Sequence, residues 1–252
     1  MYEDYPFWFT FLTNLGFRVV LSEKSNRKTY EKGMESMPSE SVCYPAKLSH
    51  GHIMSLINSG VKTIFYPCMP YSRKEFEKAE NKYNCPIVIS YPEVLRNNVE
   101  ELKDVKFINP FLPFDAKNLT SVVMNLPEFK EYNFTKKELK EAIHKGFEEQ
   151  NKFKEDVRRK GEEFLKYIND HNEKGIVLAG RPYHLDKEVN HGIDTMINSL
   201  GLAVLTEDSI CHLSNIESKL RIVDQWAYHS RVYHAADVVS QNKNIELVNL
   251  NS

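Results

Sequence analysis

Gly175-Ile176-Val177-Leu178-Ala179-Gly180, followed downstream by Leu202-Ala203-Val204-Leu205 and Ile245-Glu246-Leu247-Val248-Asn249-Leu250, decides how this chain folds. Each run is short and almost continuously apolar, the pattern of a strand covered on both faces, and that cover is the condition under which parallel sheets form. Helical composition fills the gaps, near Val189 to Leu200 and from about Ser218 to Val239. Strand–helix–strand–helix–strand makes a parallel half-sheet of flavodoxin-like kind. The chain stops at Ser252, directly after an apolar strand with no helix left to cover its far face, so this unit reads as cut.

Upstream lies a charged stretch, Thr135 to Lys174, with 11 Lys/Arg and 10 Asp/Glu. Within it Leu139, Ile143, Phe147, Phe153, Val157, Phe164 and Ile168 recur near helical spacing. Thr135 and Glu138 match a capping box, which marks where the helix starts. Because its charges balance, the stretch reads as a solvated amphipathic helix joining two units.

Residues 1–115 repeat the alternation of short apolar runs and helical segments. The runs are Phe17-Arg18-Val19-Val20-Leu21, Val61 to Tyr66, Pro86-Ile87-Val88-Ile89-Ser90 and Val105 to Ile108. Helical composition covers Asn26 to Gly33, Ala46 to Asn58 and Pro92 to Leu102, and Gly16, Gly33 and Gly60 stand where a helix would stop. The aromatic group Tyr2, Tyr5, Phe7, Trp8, Phe9 and Phe11 has no interleaved basic residue before Arg18 and reads as core or interface. The expected fold class is therefore α/β, with two flavodoxin-like parallel-sheet units joined by a charged helical region. Its divisions are 1–115 (an N-terminal α/β unit with cysteine loops), 116–174 (the helical connector) and 175–252 (the C-terminal α/β unit).

Composition excludes several partners. With 252 residues, 41% hydrophobic, the chain can bury a real core. With 33 Lys+Arg against 35 Asp+Glu it carries no basic field for a nucleic-acid backbone or an anionic membrane. No apolar window approaches the length of a spanning helix, and the apolar start at Pro6 follows Glu3 and Asp4 rather than a basic segment. A cytoplasmic protein is expected, in which the four cysteines stay reduced and available to a metal. No GxGxxG or Walker loop occurs, so no nucleotide binding is expected.

Three cysteines share a setting: Val42-Cys43-Tyr44-Pro45, Pro67-Cys68-Met69-Pro70 and Asn84-Cys85-Pro86. The nearby prolines place each where an element begins or ends. Cys68 lies just past an expected strand, at the end where parallel sheets bind ligands. Cys43 opens an expected helix, whose unpaired N–H groups favour thiolate. Soft thiolates from separate loops suit zinc or an iron–sulfur cluster, and gaps of 24 and 16 residues imply a site assembled by the fold. On spacing alone, simple packing is the favoured reading. A second constellation, Ala179 to Gly192, places Arg181, His184, Asp186, Glu188 and His191 on the loop after a strand. Arg181 could grip a carboxylate or phosphate and a histidine could relay a proton, or the polar groups could simply fix a tight turn. The third, Leu205 to His212, puts Glu207 and Cys211 at the same sheet edge, with Cys211 a possible fourth metal ligand.

The chain resembles the uncharacterised domain attached to activases of CoA-substrate-specific enzymes, in proteins related to the activator of 2-hydroxyglutaryl-CoA dehydratase. The stretches that carry the resemblance are Met1 to Trp8, Pro38 to Lys47, Phe65 to Pro70, Tyr83 to Pro86 and Ala179 to Gly192. The domain is distantly similar to 2-hydroxyacyl-CoA dehydratase subunits, which are built from flavodoxin-like domains and hold an iron–sulfur cluster through three cysteines. By position the resemblance implies Cys43, Cys68 and Cys85 as ligands of a 4Fe-4S cluster. It further implies an ATP-dependent activase domain or subunit as the electron-donating partner, dehydratase subunits as further partners, and a further strand and cysteine-containing segment after Ser252. The implied function is an iron–sulfur module that receives or relays electrons. A non-redox docking or scaffold domain and a zinc-stabilised α/β domain are the alternatives.

Overall fold

The computed structural model describes residues 3–217, 220 and 224–251, without the side chains of 116 and 117, and its described part is α/β with two small parallel sheets. The chain divides into two compact units, one built from Met1–Ser72 with Asn84–Gln150 and the other from Arg73–Tyr83 with Asn151–Ser252.

The first unit opens with α1 (Tyr5–Asn14), which carries Pro6 in its first turn, where the ring's fixed φ suits a helix. Phe7, Trp8 and Phe11 are fully buried against Phe114, Leu119, Leu139 and Ile143. Removing each such ring from water contributes about 2–3 kcal/mol. The expectation of a core role for these rings holds; Tyr5 and Phe9 face solvent, and Tyr2 lies outside the described residues. Next come α2 (Arg27–Lys32), α3 (Tyr44–Asn58), β1 (Thr63–Phe65), α4 (Pro86–Asn98) and β2 (Lys106–Ile108). Asn26 caps α2, its side chain accepting the Thr29 N–H at 3.1 Å. β1 and β2 pair in parallel with Ile64 beside Phe107, and a bridge from Cys68 to Phe111 continues the pairing. Two short helices, α5 (Ala116–Asn125) and α6 (Pro127–Lys130), lead into α7 (Lys136–Asp170).

Two expected strands are corrected. Phe17 to Leu21 is irregular: the Phe17 ring packs against Phe129, Tyr132 and Phe134, while Val20 and Leu21 stay exposed with no neighbouring strand to pair with. Pro86 to Ser90 is the first part of α4. Cys85, with extended backbone, is its N-cap, and Pro86 stands at the first helical position, so the local start signal outweighs the β-branched run Ile87-Val88-Ile89. α4 then carries Pro92 inside it and ends at Asn98, short of the expected Leu102. Gly33 does end α2 as expected, but without a left-handed turn. Its φ of −101° is ordinary for any residue, and it is glycine because a Cβ there would lie 2.3 Å from the Gly51 nitrogen. Gly51 in turn would drive a Cβ to 1.6 Å from the Thr29 carbonyl oxygen, so α2 and α3 meet backbone to backbone.

α7 begins with the expected capping box. Thr135 N–H and Oγ1 both donate to Glu138 Oε2, and Glu138 N–H donates to Thr135 Oγ1. Its first turns, with Leu139, Ala142, Ile143 and Phe147, belong to the core of the first unit, and Ile168 belongs to that of the second. Its exposed pairs, such as Arg159 with Asp156 and Glu163, contribute little each.

In the second unit β3 (Gly175–Ala179) is the central strand, flanked in parallel by β4 (Ala203–Thr206) and β5 (Ile245–Asn249). Helices α8 (Ile193–Ser199), α9 (Glu207–Ile210) and α10 (His229–Ser240) complete it. Val177, Leu205, Ile210, Cys211, Ala235, Val238 and Ile245 form its core with Ile168. The helix expected from Ser218 is seen as α10 from His229, and residues 218, 219 and 221–223 of that expectation lie outside the described residues. The segment Arg73–Tyr83 is an insertion into this unit. Phe76 stacks on His234 with ring centroids 3.6 Å apart, and Ala227 N–H donates to the Tyr83 carbonyl at 3.0 Å. No helix among the described residues is long and apolar enough to cross a membrane.

Candidate functional site

Cys43 and Cys85 are the N-caps of α3 and α4, each followed by a proline in the first turn, and Cys68 follows β1 at its carboxyl end. These are the element boundaries that the flanking prolines announce. All three belong to the first unit. Asn84 ties the Cys85 loop to the Cys68 loop: its N–H donates to the Pro70 carbonyl and its Nδ2 to the Met69 carbonyl, both at 3.0 Å, and its Oδ1 accepts from Ser72 Oγ. Cys68 itself is held on both sides, its N–H donating to the Pro110 carbonyl and its carbonyl accepting from Leu112 N–H.

Of the three thiols only that of Cys68 is fully buried, with tyrosines close by. Burial pushes the Cys68 thiol up to about 11, aided by the Glu93 carboxylate and partly offset by the Glu93 backbone N–H. A metal taken up there must displace a proton that the apo protein holds tightly. Burial likewise pushes Tyr66 up to about 12, with Tyr91 and Cys68 adding to it, and Tyr91 up to about 12, with Cys43 adding to it. Cys43, Tyr91, Tyr66 and Cys68 are therefore successive electrostatic neighbours. Behind Tyr91 stands His50, fully buried, whose Nε2 is 3.0 Å from the Tyr91 hydroxyl and whose Nδ1 is 2.8 Å from Ser36 Oγ. Burial holds His50 down at about 4, neutral at physiological pH. The sequence reading did not include Tyr66, Tyr91, Glu93 or His50. His50 was detectable, being one turn beyond Ala46 and one before Ile53 on α3, whereas Tyr91 and Glu93 emerge only once 86–98 is known to be helical.

Among the described residues, no three His, Cys, Asp or Glu side chains stand together as a metal-holding group. Cys211 belongs to the core of the second unit, its thiol pushed up to about 12 by burial and then by nearby Glu75.

The loop after β3 folds on itself. Arg181 N–H donates to His184 Nδ1 at 3.0 Å, which leaves the ring proton on Nε2, and burial lowers the His184 pKa, with Arg181 adding to the effect. A Cβ on Gly180 would sit 2.3 Å from that same Nδ1, so the turn requires glycine there. Asp186 Oδ1 accepts from the N–H groups of Glu188 and Val189, and the chain then turns through left-handed His191 (φ 54°) and Gly192 (φ 74°). The side chain of Arg181 leaves this turn: Nη1 donates to the Tyr183 hydroxyl at 2.7 Å and Nε to the Tyr228 hydroxyl at 3.3 Å. Glu207 is buried at the start of α9, and its pKa is raised well above normal by burial, with Asp208 next. Its cationic neighbour is Arg231, which places Nη2 3.8 Å from Glu207 and Nη1 3.6 Å from Glu75; Glu75 also pairs with Lys154 at 2.6 Å. Glu207 is thus part of a buried ion network, which its sequence neighbours could not reveal because Glu75 and Arg231 come from distant segments.

Comparison with curated proteins and with solved structures gives no match. A family model does match, over residues 1–210, and this interval contains Cys43, Cys68, Cys85 and the whole Arg181–His191 loop, with Cys211 just beyond it. The chain therefore belongs to the family described as the CoA enzyme activase uncharacterised domain (DUF2229).

Proposed function

We propose that this chain is a cytoplasmic iron–sulfur module of an acyl-CoA dehydratase activase-related protein, receiving or relaying electrons in an ATP-driven system. The observation that carries the reading is the placement of Cys43, Cys68 and Cys85 at three element boundaries of one unit, two of them linked through Asn84. Family membership supports the activase context. The donor chemistry fits a cluster, since soft thiolates suit iron and the Glu93 N–H near Cys68 is the kind of donor that tunes cluster sulfur. Cys43, Cys68 and Cys85 would hold the group, and Cys211 would remain a packing residue of the second unit. When bound, a cluster supplies one-electron redox chemistry. Tyr66, Tyr91 and Leu95, which shares a buried cluster with Cys43, would keep water from it, and the Ser36–His50–Tyr91 hydrogen bonds would fix the Tyr91 hydroxyl. An ATP-dependent activase domain or subunit is the proposed donor, with dehydratase subunits as further partners.

One observation favours a second reading. Because no ready-made metal-holding group stands among the described residues, the cysteines could serve packing alone, in a non-redox domain that docks an activase or dehydratase subunit. Anaerobic expression followed by iron, sulfide and zinc analysis decides between them. The cluster reading requires iron and sulfide together with broad absorption near 400 nm, from thiolate-to-iron charge transfer. Zinc without colour would support the zinc-stabilised alternative, and a metal-free, colourless protein would establish the docking reading.

A further inference from the structure

We propose that Arg181, clamped by Tyr183 and Tyr228 at the carboxyl end of β3, is the recognition group of an oxyanion-binding site that takes a carboxylate or a phosphate. The proposal concerns the second unit alone and goes beyond the cysteine reading.

A guanidinium is always protonated and offers five N–H donors. In Arg181 one Nη1 donor goes to the Tyr183 hydroxyl and Nε goes to the Tyr228 hydroxyl, while the guanidinium lies 5.9 Å from the centre of the Tyr228 ring. All of these partners are neutral, so among the described residues the positive charge is held in place without being compensated. The well-held arginines elsewhere in this unit are treated differently: Arg231 reaches Glu75 and Glu207, and Arg159 reaches Asp156 and Glu163. Arg181 is only partly exposed, so its lack of an acidic partner costs more than it would on an open surface. The two tyrosine hydroxyls fix Nε and one Nη1 hydrogen and leave, among the described residues, the second Nη1 hydrogen and both Nη2 hydrogens unused, so that one N–H from each nitrogen can grip an oxygen of the same anion.

A second observation is independent of the first. His229, whose ring lies 4.7 Å from that of Tyr228, has a buried Nδ1 with no hydrogen-bond partner among the described residues. Buried polar atoms are normally satisfied, and an orphan near a cation with no acidic partner among the described residues is the kind of place a bound ligand completes. His229 is kept toward its neutral form chiefly by burial, with Asp224 opposing and Arg181 reinforcing that effect. Asp224 is the acid that acts on His229. Its Oδ2 accepts from Ser230 Oγ at 2.9 Å and its Oδ1 has no partner among the described residues, so it too has capacity for a donor carried by the ligand. The position agrees with the rule that ligands of parallel sheets bind outside the carboxyl ends of the strands.

The test uses the full chain, with inorganic phosphate and succinate as separate probes at constant ionic strength, read by calorimetry and by the rate at which phenylglyoxal modifies Arg181 in the mass spectrum. At least one probe should bind and slow Arg181 modification, and the probe that does so identifies the source as phosphate or carboxylate. Arg181→Gln should weaken that binding about 10-fold or more, the size expected for a lost charge-assisted pair. Arg181→Lys keeps the charge without the fork and should weaken it by a smaller factor. Protection of Arg181 in the wild type needs no variant, so a folding defect in Arg181→Gln leaves the test intact. If neither probe protects Arg181, or Arg181→Gln binds both as well as the wild type, the site is refuted and Arg181 is a structural clamp for its two tyrosines.

Discussion

At the residue scale the three cysteines differ in what they demand. Cys68 is fully buried and its thiol is pushed up to about 11, whereas Cys43 and Cys85 stand half-buried at helix starts. Replacing any of the three with Ala should cut iron incorporation severalfold in anaerobically produced protein, while Cys211→Ala should retain most of it. Equal iron in all four variants would remove the cluster reading. His50 gives a pH-dependent prediction. Its pKa falls from 6.5 to about 4 on folding, so in that interval the unfolded chain binds the proton that the folded one refuses. Stability is therefore undiminished above pH 6.5 and declines as pH drops toward 4, by up to about 3 kcal/mol at about 1.4 kcal/mol per unit. Urea unfolding between pH 7 and 4 should show this slope, and His50→Gln should flatten it.

At the element scale, backbone approach and capping matter more than apolar pattern. Gly51→Ala would force a methyl into the Thr29 carbonyl, so α2 could not keep its seat on α3. A loss of about 3 kcal/mol is expected, at the upper end for overpacking, readable as a lower urea midpoint. Thr135→Ala removes the hydroxyl that receives the Glu138 N–H and should cost about 1 kcal/mol, with fraying at the start of α7 seen by hydrogen exchange. The exposed ion pairs along α7 should matter far less, so moderate salt should leave the urea midpoint nearly unchanged.

At the scale of the whole molecule, the segment Arg73–Tyr83 belongs with the second unit although it lies within the stretch that forms the first. Glu75 and Phe76 hold it there, through Lys154, Arg231 and His234. Arg231→Ala would leave Glu75 and Glu207 buried without their shared cation, and about 3–5 kcal/mol of destabilisation is expected. Hydrogen exchange should then quicken in 73–83 together with 229–240. Unchanged protection in 73–83 would show that the insertion is held by something other than this network.

The sequence alone was sufficient for the parallel strands β1 to β5, the capped start of α7, the aromatic core of α1, the family and the boundary positions of the cysteines. These follow from local signals: apolar runs of strand length, a capping pair three residues apart, and prolines that end or begin elements. It misread Pro86 to Ser90 because β-branched composition and a helix-starting proline point in opposite directions, and the start signal at Cys85-Pro86 outweighs the composition. It could not reveal Tyr91 beside Cys43, Glu75 beside Arg231 or Tyr228 beside Arg181. Each of those pairings joins residues far apart in the chain, and folding alone brings such groups within reach of one another.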